Sequence, residues 1–193
     1  MKKIRSKDLA EQLKADTRRI ILQTHHLLQQ DPGVLTESPA PGKWSVAQVI
    51  EHLNTYGRYY LPLIQKALKE SQHAPALEFK SGWLGNYFTN SMLPNKQGKV
   101  TNKMKAFKGH IPSPDIDSKQ ALDEFLKQQA LLLELLEKAP HSDINAIRIP
   151  ISISKMIKLK LGDVFRFIIA HHQRHFVQIE NTLAAFGREM EAA

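Results

Sequence analysis

Residues 162–187 read GDVFRFIIAHHQRHFVQIENTLAAFG, a pattern that is typical of an amphipathic α-helix. Gly187 follows the last apolar position, and glycine readily adopts the left-handed backbone conformation that ends many helices. The segment therefore predicts a last helix from about Gly162 to Phe186. Its apolar face consists of Val164, Phe165, Ile168, Ile179, Leu183 and Phe186.

Two further helices are indicated by composition and by the residues that stop them. Residues 6–30 are rich in leucine, alanine, glutamine, lysine and arginine, and an Asp-Pro-Gly turn at 31–33 ends the run. The strongly apolar run ALDEFLKQQALLLELLEKA, residues 121–139, follows Asp117 and Ser118, either of which can cap a helix. These segments predict the first and third helices of the chain.

The second helix is predicted by a capping box. Ser45 and Gln48 have the Ser-x-x-Gln spacing in which each side chain accepts a hydrogen bond from the backbone of the other. The apolar pattern then continues to about Glu70. Pro62 lies inside this run, and because proline removes a backbone donor, we expect it to kink or divide the helix.

A long connection separates the second and third helices. Residues 72–117 contain four prolines, four glycines and the aromatic cluster WLGNYF at 83–88, so we expect one short helical piece at most. The fragment ISISKMIKLKL at 151–161 alternates like a strand, but a single strand would have no partner, so an extended approach to the last helix is expected.

The chain of 193 residues, with 42% hydrophobic residues, is long enough to bury one continuous core. Four helices with a long crossover between the second and third predict an all-α four-helix bundle. We expect a single domain over residues 1–193. No stretch resembles a secretory leader or approaches the roughly 20 apolar residues of a membrane span, so a cytoplasmic protein without membrane contact is expected.

The composition of the chain limits the kinds of site and partner that it can have. The chain has no cysteine, which excludes disulfides, thiolate metal sites and cysteine nucleophiles. The net charge is +8, and part of the excess lies in one stretch without acids. Only Phe107 interrupts these lysines, whereas nucleic-acid binders usually interleave aromatic residues, so a nucleic-acid partner is disfavoured. The lysines of this stretch are Lys96, Lys99, Lys103, Lys105 and Lys108.

Three of the nine histidines are concentrated in the last helix. His171 and His175 are four residues apart, so their imidazoles can converge on one metal ion. His172 and His175 form a competing pair, and His172 lies nearer the centre of the apolar face. Spacing alone leaves the two pairs open. A third ligand must come from elsewhere, and His52 on the second helix is the best candidate.

Two segments together resemble a known family. PGKWSVAQVIEHL at 41–53 and AHHQRHFVQIE at 170–180 look like motifs of the DinB-like (DinB/YfiT) superfamily of metal-binding four-helix bundles, which is unrelated to the DNA polymerase of similar name. The resemblance implies that His52, His171 and His175 are the ligands of one divalent metal and that His172 is not. Gln178 occupies the position of a polar residue that follows the family's histidine pair.

The resemblance also implies an activity. Some members of the superfamily transfer low-molecular-weight thiols such as bacillithiol or mycothiol, which makes a divalent-metal-dependent S-transferase with a small-molecule substrate our first hypothesis. Three neutral imidazoles leave the metal an open position, and zinc, nickel, cobalt and iron all suit such ligands, zinc and nickel first.

Two alternatives remain at this point. A metal-dependent hydrolase would use metal-bound hydroxide and needs an acid or base, for which Glu51 and Glu180 adjoin the histidine segments. A noncatalytic metal- or ligand-binding bundle is the other. Trp83, Tyr87 and Phe88 are expected to pack under the long connection, although they could instead line a pocket or interface. A homodimer is compatible with the fold, since bundles pair along their helices.

Overall fold

A computed structural model describes residues 3–95, 97–100 and 104–188. Within these ranges the chain forms six α-helices and two small two-stranded sheets. The helices are α1 (Ser6–Leu27), α2 (Pro32–Thr36), α3 (Val46–Glu70), α4 (Trp83–Met92), α5 (Ser118–Lys138) and α6 (Leu161–Ala184). The strands are β1 (Ile4–Arg5), β2 (Glu78–Phe79), β3 (Arg148–Ile151) and β4 (Ser154–Lys160).

Helices α1, α3, α5 and α6 form a four-helix bundle. Both α1 and α3 pack against α5 and against α6, so the order around the bundle is α1, α5, α3, α6. The core between them consists of aliphatic and aromatic side chains, among which Ile20, Leu53, Phe125 and Ile179 are almost fully buried. The predicted all-α bundle, with a long crossover between its second and third long helices, is confirmed.

The helix ends follow the predicted capping chemistry. The Ser45 hydroxyl accepts from the Gln48 backbone at 3.2 Å, and Gln48 Oε1 accepts from the Ser45 backbone at 3.0 Å, which completes the capping box of α3. At the end of α6, Gly187 has a φ of 67°. The Arg188 backbone N–H donates to the Leu183 carbonyl at 3.0 Å, as in a Schellman motif.

Pro62 does not divide α3, which runs without interruption from Val46 to Glu70. Buried side chains lie on both sides of the proline, including Tyr60, Leu61 and Ile64. Burying this apolar face stabilises both halves of the helix against the bundle, and this offsets the hydrogen bond that proline cannot donate.

The expectation that residues 151–161 have no strand partner is wrong. Strand β4 pairs antiparallel with β3, and Ile149 lies opposite Leu159. Pro150 lies within β3, opposite Lys158, and proline is tolerated there because the strand lies at the edge of a sheet. Ile149, Ile151 and Leu159 are buried, so the hairpin adds an apolar face beside the bundle.

The connection after α3 is held against α6 by the buried carboxylate of Asp163. This side chain accepts hydrogen bonds from the Ser81 hydroxyl and, at 2.8 Å, from the Gly82 backbone N–H, and Arg166 lies 3.4 Å away. Helix α4 follows at once and packs on α6. A Cβ at Gly85 would lie 2.3 Å from Asp163 Cγ, so this close approach requires glycine.

In the part of the chain that the structure describes, none of the helices combines the length and apolar composition that crossing a bilayer requires. The basic stretch of the connection is only partly described. Lys99, Lys105 and Lys108 are exposed, whereas Lys96 and Lys103 lie outside the described residues.

Candidate metal centre

Three histidines from two helices converge inside the bundle. His52 extends from α3 and His171 and His175 from α6, and one ring nitrogen of each lies within 4.8 Å of the others. The Nε2 atoms of His52 and His171 are 3.3 Å apart, and those of His171 and His175 are 3.0 Å apart. All three side chains are buried, with 3%, 4% and 9% of their surface exposed.

Hydrogen bonds at Nδ1 orient two of these imidazoles. His52 Nδ1 lies 2.7 Å from the backbone carbonyl oxygen of His110, which can only accept, so the proton is on Nδ1. His175 Nδ1 lies 2.9 Å from Gln178 Oε1 and donates to it in the same way. In both rings the Nε2 lone pair therefore points into the cluster.

Burial keeps the cluster neutral. Loss of hydration lowers the pKa of His52 to about 4, although the His110 carbonyl partly opposes this effect. Loss of hydration, with the neighbouring imidazoles, lowers the pKa of His175 to about 3. The same causes hold the pKa of His171 well below its ordinary value. At neutral pH all three rings are neutral imidazoles, each with one nitrogen lone pair free, which is the state that binds metal.

The separations match those of nitrogen ligands around one ion. Metal–nitrogen bonds of about 2.1 Å at tetrahedral or octahedral angles place two ligand atoms about 3.0–3.4 Å apart. His52 and His175 each present a lone pair, and a single proton on His171 Nε2 cannot fully satisfy both. A cation between the three nitrogen atoms would satisfy all of them, so the donor set fits a divalent metal.

His172 points away from this cluster. Its ring packs edge-on against Phe125 of α5 at a centroid distance of 5.2 Å. Burial lowers its pKa to about 3, and its Nδ1 atom has no hydrogen-bond partner among the described residues. His172, which the sequence places nearer the centre of the apolar face than His171, is thus a core residue, and the structure groups His171 with His52 and His175.

His110, in a 3₁₀ turn at Lys108–His110 within the connection, was missed by sequence reasoning. Besides its carbonyl contact, its Nδ1 lies 2.8 Å from the Thr55 hydroxyl, which donates to the His52 carbonyl at 2.7 Å. Its ring stacks on Tyr56 at 3.9 Å. A histidine between prolines in a long connection carries no local signal for this role, because the contact spans 58 residues.

Aromatic rings surround the histidines. Tyr56 lies 4.5 Å from the His171 ring, and Phe167 stacks parallel to that ring at 5.8 Å. Trp44 lies 5.0 Å from His52. Burial raises the pKa of Tyr56 to about 12, so its phenol stays neutral. These rings limit the access of water to the cluster, which strengthens electrostatic interactions there.

The two glutamates considered as acids or bases face elsewhere. Glu51 pairs with Arg58 at 2.7 Å, and Arg58 also binds Glu124. Glu180 is exposed, and its carboxylate lies 3.4 Å from the Gln23 amide. Among the described residues, the one group of histidines and carboxylates close enough to share a metal is the three-histidine cluster.

The prediction that the aromatic residues of the connection pack beneath it is wrong for two of the three. Trp83 and Tyr87 are 76% and 63% exposed. Helix α4 turns Gly85 and Thr89 toward α6, which leaves positions 83 and 87 on the opposite face. Phe88 is partly buried and meets Phe167 edge-on at 6.4 Å.

Comparison with known proteins identifies the family. Among curated proteins no match was found. Among solved structures, YfiT from Bacillus subtilis is similar, with a TM-score of 0.58, 12% identity and coverage of 93% of this chain and 89% of that one. That protein is described as a probable metal-dependent hydrolase with an unusual four-helix bundle topology. The family model of the DinB superfamily matches residues 16–179, a span that includes all three histidines, so the chain belongs to the DinB superfamily.

Proposed function

We propose that this chain is a metal-dependent S-transferase, in which His52, His171 and His175 hold one divalent ion and a low-molecular-weight thiol is the nucleophile. The observation that carries the proposal is the convergence of three buried, neutral imidazoles whose Nε2 atoms lie 3.0 and 3.3 Å apart. Zinc and nickel are the metals we propose first, because both accept imidazole ligands.

A divalent ion at this position would act as a Lewis acid and lower the pKa of a thiol beside it. In the net reaction, the thiol sulfur forms a bond to an electrophilic carbon of a small molecule. The bond from that carbon to its leaving group breaks, and the leaving group departs with its electron pair. The thiol proton is released to solvent, so no oxidant or reductant is required.

The chain's own residues prepare the site before substrate arrives. The His110 carbonyl and the Gln178 amide keep the protons of His52 and His175 on Nδ1. Such partners fix the orientation of metal-binding imidazoles and raise their basicity. Tyr56 and Phe167 restrict water around His171, which favours a sulfur nucleophile over solvent.

The surroundings support a thiol in preference to water as the nucleophile. Attack by water needs a general base, and the carboxylates of Glu51 and Glu180 are engaged with other partners. A thiol loses its proton more easily, since its ordinary pKa is about 8.5. It therefore depends less on a protein base.

Hydrolysis is the second candidate, and the likeness to YfiT favours it. The same three histidines would then hold the metal, with water as nucleophile. The two functions differ in one requirement, because hydrolysis proceeds without an added thiol.

The test is a turnover assay on protein loaded with zinc or nickel, using a panel of electrophiles with and without bacillithiol, mycothiol or glutathione. We expect product only when both metal and thiol are present, and loss of at least about a hundredfold in His171→Ala. The substitution His172→Leu should leave turnover intact. Chelator-sensitive turnover without thiol would assign hydrolysis instead, and no turnover in either mode would overturn both functions.

A further inference from the structure

A second feature lies beside the histidine cluster. A cavity of about 110 Å³ that is partly open to solvent lies between α3, α4, α6 and the β3–β4 hairpin, with Met104 and Phe107 of the connection at its rim. Side chains from all four elements form its walls, among them Tyr56, Tyr60, Phe88, Met92, Leu159 and Phe167. The cavity thus lies between the bundle and the two segments outside the bundle, which are the connection and the hairpin.

The walls offer little to a polar ligand. Of the described residues that line the cavity, none carries a formal charge at neutral pH, and most are aromatic or aliphatic. The backbone N–H of Ser152, also at the wall, already donates to the Tyr60 hydroxyl oxygen at 3.0 Å. Because water in a cavity needs two or more polar partners, these walls suit an apolar group.

The cavity and the histidine cluster share two residues. Tyr56 and Phe167 line the cavity, and the same two rings contact His171 at 4.5 and 5.8 Å. A group bound in the cavity therefore lies about one aromatic ring away from His171. None of the three histidines lines the cavity, so a substrate with its apolar part there would reach the cluster past the edges of the Tyr56 and Phe167 rings.

We propose that the cavity binds the apolar part of the substrate, an uncharged aromatic ring no larger than benzene, and so selects electrophiles in which the reacting carbon is attached to such a ring. The selection of electrophiles rests on the proposed function, whereas binding of the ring to the cavity does not depend on it. The cavity volume of about 110 Å³ allows one ring. A dry protein cavity of about 150 Å³ accommodates benzene, so one such ring is the upper limit for this smaller, partly open cavity.

Binding is tested separately from catalysis, with fluorobenzene as probe and ¹⁹F NMR as readout on chelator-treated protein. The test variant is Met92→Trp, which places a larger ring at the cavity wall. Its matched control is Met156→Trp, since Met156 lies on β4, is 93% exposed and does not line the cavity. Ile153→Trp fills the cavity from the hairpin and serves if Met92→Trp does not fold.

We expect saturable binding of fluorobenzene to wild type and to Met156→Trp, and a dissociation constant raised at least about tenfold in Met92→Trp or Ile153→Trp. Binding of this kind supports the cavity assignment even if no electrophile is turned over. Absence of saturable binding to wild type, or equal affinity in the filled variants, would overturn it.

The link to catalysis is measured on metal-loaded protein with two electrophiles that share a leaving group, one benzylic and one methyl. We divide kcat/KM for the benzylic electrophile by kcat/KM for the methyl electrophile. This ratio should fall at least about tenfold in Met92→Trp and stay unchanged in Met156→Trp. An unchanged ratio with full turnover would remove the cavity from the account while leaving the proposed function in place.

Discussion

His52 Nε2 lies 3.3 Å from His171 Nε2, although 119 residues separate the two in sequence. The contact requires α3 and α6 to be neighbours in the bundle with these two faces opposed. Burial makes both rings neutral, and the Nδ1 proton of His52 is fixed by a carbonyl at 2.7 Å.

Gln178 is expected to act as a positioning residue for His175. The substitution Gln178→Leu removes the acceptor at His175 Nδ1 and should weaken metal affinity about 10- to 100-fold. Gln178→Glu keeps an acceptor and should restore affinity. Competition with a chromogenic chelator measures the metal dissociation constant, and Gln173→Leu on the same helix is the matched control. Equal weakening in both leucine variants would contradict the positioning role.

Metal should stabilise the folded chain through the three histidines. A ligand present at 100 times its dissociation constant stabilises a protein by about 2.7 kcal/mol. Added zinc should therefore raise the melting temperature of wild type but not that of His171→Ala, as followed by circular dichroism. A zinc-dependent increase of equal size in His171→Ala would place the bound metal elsewhere.

Stability should fall in acid through the buried histidines. The pKa of His172 is about 3 in the folded chain, below the ordinary value of about 6.5. Above pH 6.5 neither state binds the proton. As pH falls from 6.5 towards 3, only the unfolded chain takes up protons, so the free energy of unfolding decreases, by up to about 1.4 kcal/mol per pH unit for each such histidine.

The variant His172→Leu removes one of these groups without touching the cluster. In metal-free protein, its urea-unfolding free energy should decrease less steeply with falling pH than that of wild type. At pH 7 it should lie within about 1 kcal/mol of wild type or above it, because the substitution removes a buried nitrogen atom without a described partner. An acid dependence identical to that of wild type would show that His172 is accessible to protons in the folded state.

Asp163 should be important for stability because it anchors the connection to α6. Asp163→Ala leaves the Ser81 hydroxyl and the Gly82 N–H without their acceptor and should cost about 3 kcal/mol in urea unfolding. Asp123→Ala, which removes an exposed pair with Lys119, should cost less than about 1 kcal/mol. Similar losses in both variants would contradict an anchoring role for Asp163.

Local sequence signals were sufficient to predict the long helices, because capping motifs and apolar periodicity depend on residues that are close in sequence. Ser45 with Gln48, and Gly187 after α6, behave as their spacing predicts. The β3–β4 hairpin was missed because its pairing depends on Pro150 being accepted within a strand.

For the site, spacing gave two competing histidine pairs, and the family resemblance favoured His171. The structure adds a reason: His172 is buried against Phe125. His110 and the aromatic cavity could not be predicted, because both depend on how the connection folds back over α3 and α6. Contacts of this kind have no sequence period, and the connection contains breakers rather than a repeating pattern.

The central claim, that His52, His171 and His175 hold one divalent ion, is tested most directly by elemental analysis of protein purified without an affinity tag. The variants His52→Ala, His171→Ala and His175→Ala are measured beside His172→Leu after equal reloading with zinc or nickel. We predict about one metal per chain in wild type and His172→Leu, and loss of metal in each of the three alanine variants. Wild type without metal after reloading, or alanine variants with full metal content, would contradict the claim.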